Sequence, residues 1–215
     1  MSSVLENTIN FVKKQLEHAE SGHNWFHMER VYNNALLIAK GEICNLEVVQ
    51  LAALLHDIAD SKFHEGDETV GPKVARDFLV SEHVSEETIQ HVVKIIENIS
   101  FKGGNFEKKF TSKELEIVQD ADRLDAIGAV GIARTFNYGG FKNREIYNPD
   151  ILPNLNMSKE EYKNSTAPTI NHFYEKLLLL KDKMNTETGK KIAQQRHEFM
   201  KTFLEQFYKE WSGVV

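Results

Sequence analysis

Apolar residues recur every three or four positions along most of this chain, and that spacing predicts helices. Val4, Leu5, Thr8, Ile9, Val12 and Leu16 form a first stripe. SGHN stops it, and Asn24 is placed to cap a second helix from about Trp25 to Lys40, with Met28, Val31, Ala35, Ile38 and Ala39 facing inward. A third helix is expected over about 46–62, where VVQLAALLHDIA reads as buried on most sides. Further helices follow at about 67–81 and 85–98.

SFKGGNFEKKF reads as a loop. Thr111 and Glu114 have capping-box spacing and open a helix through ELEIVQDADRLDAIG that can persist to Phe136 despite Gly128 and Gly131. Residues 137–168 lose the period and turn rich in Asn, Gly, Tyr and Pro, with one short helix expected at SKEEY. Irregular stretches of that length are often lids or binding loops, although a surface excursion or an oligomer contact fits equally. Two amphipathic helices close the chain, one from Ile170 to Met184 and one from Ile192 to Trp211. No alternating strand pattern is present. The expected fold is all-α in a single domain: a core at about 20–136, a loop or lid at 137–168, and two long C-terminal helices at 169–212 docked on the core.

Charge and composition narrow the function. With 32 acidic against 26 basic residues the net charge is −6, which offers no footprint for polymeric nucleic acid or an anionic membrane. No apolar run reaches the roughly 20 residues of a membrane span, and the N-terminal stretch reads as an amphipathic helix without a secretory core. The single cysteine, Cys44, fits a reducing cytoplasm and a packing role. A small anionic ligand is still compatible with this balance.

The run around LAALLHDIAD holds the chemistry. His56 and Asp57 sit side by side among Leu, Ala and Ile, and a carboxylate there costs several kcal/mol unless something pairs with it. Two other helices carry polar residues in apolar patterns: His27 in the first turn of the second, and Asp122 on the face of Val118 and Asp125. Singly, a buried histidine is more often a hydrogen-bonded core residue, and Asp122 could pair with Arg123. Together, His27, His56, Asp57 and Asp122 make an N/O donor set without thiolate, suited to a divalent metal with open positions. Asp60, four residues after His56, would share its helix face and serve as general base.

In GHNWFHMERV, ALLHDIADSKF and DADRLDAIG these residues resemble the H…HD…D signature of the HD-superfamily metal-dependent phosphohydrolases, and most closely the small bacterial stand-alone members. The resemblance implies an all-α fold, one divalent ion (Mn, Mg, Ni, Co or Fe) and hydrolysis of phosphate esters or anhydrides of nucleotides. It leans toward a nucleoside triphosphate pyrophosphohydrolase. Many relatives carry an acidic pair soon after the HD; here Ala59 takes one of those places, leaving Asp60. Two-metal members add a histidine pair on the following helices, where this chain has only His91, so one ion is inferred and an HD-fold di-iron oxygenase is disfavoured. A nucleotide-binding regulatory module is the other alternative.

Phosphate chemistry also needs cations. Lys102 and His23 are the candidates for substrate binding, with Lys62, Lys142 and Arg144 behind them. Trp25 could stack on a base, though packing is its commoner use. Histidines 83, 91, 172 and 197 read as surface or structural residues. The expected partner is a small nucleotide, with an oligomer possible.

Overall fold

A computed structural model of the chain describes residues 3–17, 24–59, 67, 69–99 and 110–214. Every regular element among them is helical: α1 (Ser3–Gln15), α2 (Trp25–Ala39), α3 (Leu46–Leu55), α4 (Val70–Ser81), α5 (Glu86–Asn98), α6 (Lys113–Asp125), α7 (Gly128–Phe141), α8 (Lys159–Asn164), α9 (Asn171–Glu175), a 3-10 helix (Leu177–Lys183) and α10 (Glu187–Trp211). The all-α expectation holds. None of the described helices is long and apolar enough to cross a membrane. The chain divides into two compact units, 1–122 and 123–215.

In residues 1–122, α3 is the hub and packs against α1, α2 and α5, while α4 packs on α5. Val48, Val49, Leu51, Ala52, Ala53, Leu54 and Leu55 are all buried. That all-round burial is why the run lacks a polar face. Side-chain caps start the helices: Asn24 Oδ1 accepts from the His27 N–H at 3.3 Å, Asn45 from Val48, and Ser85 from Thr88. Two long-range bonds tie the elements that carry the polar residues. Asn34 on α2 donates to the Ala121 carbonyl on α6 at 3.2 Å, and Glu114 on α6 accepts from the Asn45 N–H at 2.8 Å.

In residues 123–215, α10 packs on α7 and on the 3-10 helix. A chain of aromatic contacts runs through them: Phe173 stacks on Phe203 at 5.8 Å, Phe136 meets both, and Phe207 stacks on Trp211 with Tyr147 edge-on. The backbone of Thr169 and Ile170 donates to the carbonyls of Glu145 and Ile146, which pins the irregular stretch to the start of α9. At Gly139 a Cβ would meet Thr169 Oγ1 at 2.2 Å, so glycine is what lets α7 and that strap touch.

Several boundaries differ from the periodicity. The third helix ends at Leu55 rather than near 62, and residues 56–59 form a turn and bend. The fourth starts at Val70 rather than 67, because Asp67 Oδ1 accepts from both the N–H and the hydroxyl of Thr69 in a local turn. Ser112, not Thr111, starts α6: its hydroxyl accepts from the Leu115 N–H, and Glu114 reaches Asn45 instead of its own helix end. That helix stops at Asp125, and α7 restarts at Gly128 with φ +77°, a left-handed conformation open chiefly to glycine. The expected loop from Asn137 is helical to Phe141. The short helix at SKEEY forms, with Ser158 and Glu161 in a reciprocal capping box. The first C-terminal helix is broken at Lys176 (φ −142°, ψ −56°) into α9 and the 3-10 helix.

Candidate metal centre

The early end of α3 sets the site. His56 is the residue that closes the helix, still in helical conformation, and Asp57 follows in the turn. Adjacent residues at a helix end diverge from one another without both having to fit a packed cylinder. His27 reaches the same place from the first turn of α2, behind the Asn24 cap. One nitrogen from each imidazole and one Asp57 carboxylate oxygen lie within 4.8 Å of one another. The two rings meet edge-on with centroids 5.5 Å apart.

Asp122 completes the set from α6. Its Oδ1 stands 3.5 Å from His27 Nε2 and 3.9 Å from His56 Nε2. The second separation is too long for a hydrogen bond. The first is at the limit for one. Both suit two atoms bound to a common ion at about 2.0–2.2 Å each. The imidazole side chains are 4% exposed and that of Asp122 is 44% exposed, so the cluster opens to solvent on the Asp122 side.

The tautomer of His56 tests whether an ion fits. Its Nδ1 is 2.9 Å from the Ala53 carbonyl, an atom that can only accept, so Nδ1 carries the proton. In the neutral ring Nε2 then presents a lone pair toward the Asp122 carboxylate oxygen. Two lone pairs facing each other repel unless a cation lies between them, and a backbone bond on the far nitrogen is how metal-ligating histidines are commonly oriented. The donor set therefore fits a divalent ion held by nitrogen and oxygen.

His27, His56, Asp57 and Asp122, chosen as ligands, are thus brought together. Asp60, His23, Lys102 and Lys62 fall outside the described residues. Lys142 and Arg144 belong to residues 123–215. Trp25 lies under the Lys13 ammonium, 4.7 Å from its ring centroid, and so is engaged in packing. His91 Nε2 sits 3.0 Å from Ser112 Oγ and 3.4 Å from Glu114 Oε2, a structural tie between α5 and the start of α6.

Sequence reasoning passed over Asn34, a buried amide in the apolar stripe of α2 that fixes α6 one residue before Asp122. It also set Asp122 and Asp125 on one face, whereas Asp125 is 1% exposed and paired with Arg134.

The HD domain pattern matches residues 24–127, the stretch that contains all four clustered residues. YpgQ of Bacillus subtilis is 39% identical over 97% of this chain and 94% of that protein. The chain belongs to the HD superfamily of hydrolases. An HD-superfamily hydrolase from Bacillus thuringiensis, known by crystal structure, is 45% identical with a TM-score of 0.77 and covers 97% of this chain and 96% of its own. The B. subtilis YpgQ structure in complex with ADP superposes with a TM-score of 0.76 and 33% identity over 96% of this chain and 94% of that one.

Proposed function

We propose that this chain is a divalent-metal-dependent phosphohydrolase that cleaves nucleoside triphosphates to the monophosphate and pyrophosphate, with residues 1–215 working as one cytoplasmic domain. The observation that carries the reading is the cluster itself: His56 Nε2 stands 3.9 Å from Asp122 Oδ1 while its Nδ1 lies 2.9 Å from the Ala53 carbonyl, and the histidine side is buried where the Asp122 side is open. Complex formation between YpgQ and ADP supports a nucleotide as the ligand class.

His27, His56, Asp57 and Asp122 would hold the ion. When bound, a divalent ion there supplies a Lewis acid for a phosphate oxygen and makes a water more acidic near neutral pH. The chain does the rest. The buried imidazoles keep bulk water off one side of the site, and the exposed Asp122 side leaves room for phosphate. Asp60 takes the proton of the attacking water onto a carboxylate oxygen. His23 and Lys102 donate N–H groups to phosphate oxygens.

A panel of nucleoside mono-, di- and triphosphates, assayed for pyrophosphate and orthophosphate with Mn, Mg, Co and Ni, tests the reading. Metal-dependent release of pyrophosphate from triphosphates is the expected result. Tight nucleotide binding without turnover would instead make the chain a binding module, and orthophosphate from monophosphates would move the cleaved bond.

A further inference from the structure

The helices that bring His27 and Asp122 together, α2 and α6, meet at a second point. Asn34 lies seven residues beyond His27 on α2, close to two helical turns, so both side chains leave the same side of the helix. His27 Nε2 faces Asp122 Oδ1 across 3.5 Å, and the Asn34 side-chain amide donates to the Ala121 carbonyl at 3.2 Å. Ala121 and Asp122 are neighbours on α6. One side of α2 therefore reaches α6 twice, once through a member of the cluster and once through an amide outside it. Val31, Ala35 and Ile38 on the same stripe are wholly buried. An apolar side chain at position 34 would serve packing alone; the amide adds a bond with a fixed direction.

The position of α6 depends on such bonds. The backbones of α2 and α3 run close together, whereas among the described residues α6 makes no comparably close approach to either. Its buried Leu115, Ile117, Val118 and Ala121 hold it by apolar contact, which has no preferred direction and permits small slides. Hydrogen bonds permit them far less. Glu114 accepts from the Asn45 N–H before α3 at 2.8 Å, Gln119 donates to the Asn98 carbonyl at the end of α5 at 3.1 Å, and Asn34 donates to Ala121. Of these three bonds, the one from Asn34 is beside Asp122 and starts on the helix of His27. Atoms that share an ion must keep their distances from it to within about 0.2 Å. A slide of α6 past α2 by a fraction of an ångström would therefore weaken metal binding without unfolding the chain.

We propose that Asn34 is a positioning residue for the metal centre: its bond to the Ala121 carbonyl fixes the gap between His27 and Asp122 and thereby sets the affinity for a divalent ion. The inference rests on reading the cluster as a metal centre. Asn34 acts through the α6 backbone and is not a ligand. A helical carbonyl has a second lone pair to offer, so the bond can be deleted without breaking α6 itself.

The test compares the full chain with Asn34→Leu, which keeps the branched shape of the side chain and deletes the donor. Both are freed of metal by chelation and titrated with Co²⁺, whose visible absorption reports affinity and the geometry around the ion together. Asn34→Leu is expected to fold, to bind Co²⁺ about 10-fold more weakly, and to show a changed absorption band. Ser85→Ala removes the side-chain cap of α5, far in sequence from the cluster, and costs stability of its own. It should bind Co²⁺ as the parent does, with the same absorption, which separates positioning from general weakening of the fold. If Asn34→Leu does not fold, Asn34→Ala makes the same comparison with a side chain that any helix accommodates. Affinity and absorption in the Asn34 variant equal to those of the parent overturn the proposal and leave the metal centre standing. A parent that takes up no Co²⁺ overturns the metal centre, and the role of Asn34 with it.

Discussion

The two parts of the chain hold different kinds of clustered polarity. In residues 1–122 two buried imidazoles and two carboxylates gather their nitrogen and oxygen atoms at one place. In residues 123–215 Lys142 and Arg144 share the Tyr138 ring. Elsewhere the same chemical groups meet as simple pairs. Asp125 has Arg134, Glu86 has Arg76, and His91 has Ser112 and Glu114. A gathering of four donors is a different thing from a pair, and the nitrogen and oxygen set of residues 1–122 suits a divalent cation.

The largest effect that would break this contrast comes from Asp57→Ala. It removes a carboxylate from the donor set and should reduce bound metal from about one ion per chain to none under dialysis, with activity falling to background. The melting temperature should also drop in metal-containing buffer, because an ion that binds only the folded state stabilises it. Metal analysis beside a thermal melt gives the answer, and a variant that keeps stoichiometric metal would remove Asp57 from the set. Next in size is Asp60→Asn, which keeps the side chain's shape and deletes the base. Turnover should fall by roughly 10²–10⁴-fold while metal content and nucleotide affinity hold. Parent-like turnover would assign water activation to the ion alone or to another residue.

How far these features were legible depends on what the signal was made of. The four clustered residues stood out because each breaks an apolar pattern, and burial of polar groups is costly. The helices themselves were legible for the same reason. Their ends were not, since nothing in His56-Asp57-Ile58-Ala59 resembles a stop, yet α3 closes at Leu55. Gly128 was noticed but read as a tolerated interruption, and its positive φ depends on tertiary context: a Cβ there would come within 2.9 Å of Arg196 Cγ. The Arg134–Asp125 pair spans a helix break, so helix-face spacing could not assign it. The setting of His172 was only half visible, because Lys176 is near it in sequence whereas Arg144 joins through folding.

A smaller effect sharpens the contrast through pH. Burial, Lys176 and Arg144 move His172 from 6.5 down to about 4. Between those values the unfolded chain binds the proton and the folded chain does not. Stability is therefore fully present above pH 6.5 and declines as pH falls toward 4, by about 3 kcal/mol at most from this residue. Denaturant melts at pH 7 and pH 4.5 should show a decline that His172→Gln makes shallower, and the His172 NMR titration should have its midpoint well below 6.5. A midpoint at the ordinary value would mean that the cations are not felt there, and the contrast between the two regions would lose one of its supports.

The smallest effect is predicted for His91→Ala, and it decides whether the donor cluster is self-contained. His91 is half-buried, with its Nε2 between Ser112 and Glu114 and its ring edge-on to Phe110 at 5.8 Å. Both partners keep other bonds when it is removed: the Ser112 hydroxyl still accepts from Leu115, and Glu114 still accepts from Asn45. The loss is then one ordinary hydrogen bond and some packing, about 0.5–1.5 kcal/mol. Neither His27, His56, Asp57 nor Asp122 touches His91 in any contact described for these residues, so metal content should stay near one ion per chain with turnover within about twofold of the parent. A second ion in the parent protein that disappears from His91→Ala, together with most of the turnover, would extend the centre to α5 and replace the one-ion arrangement with a two-ion one.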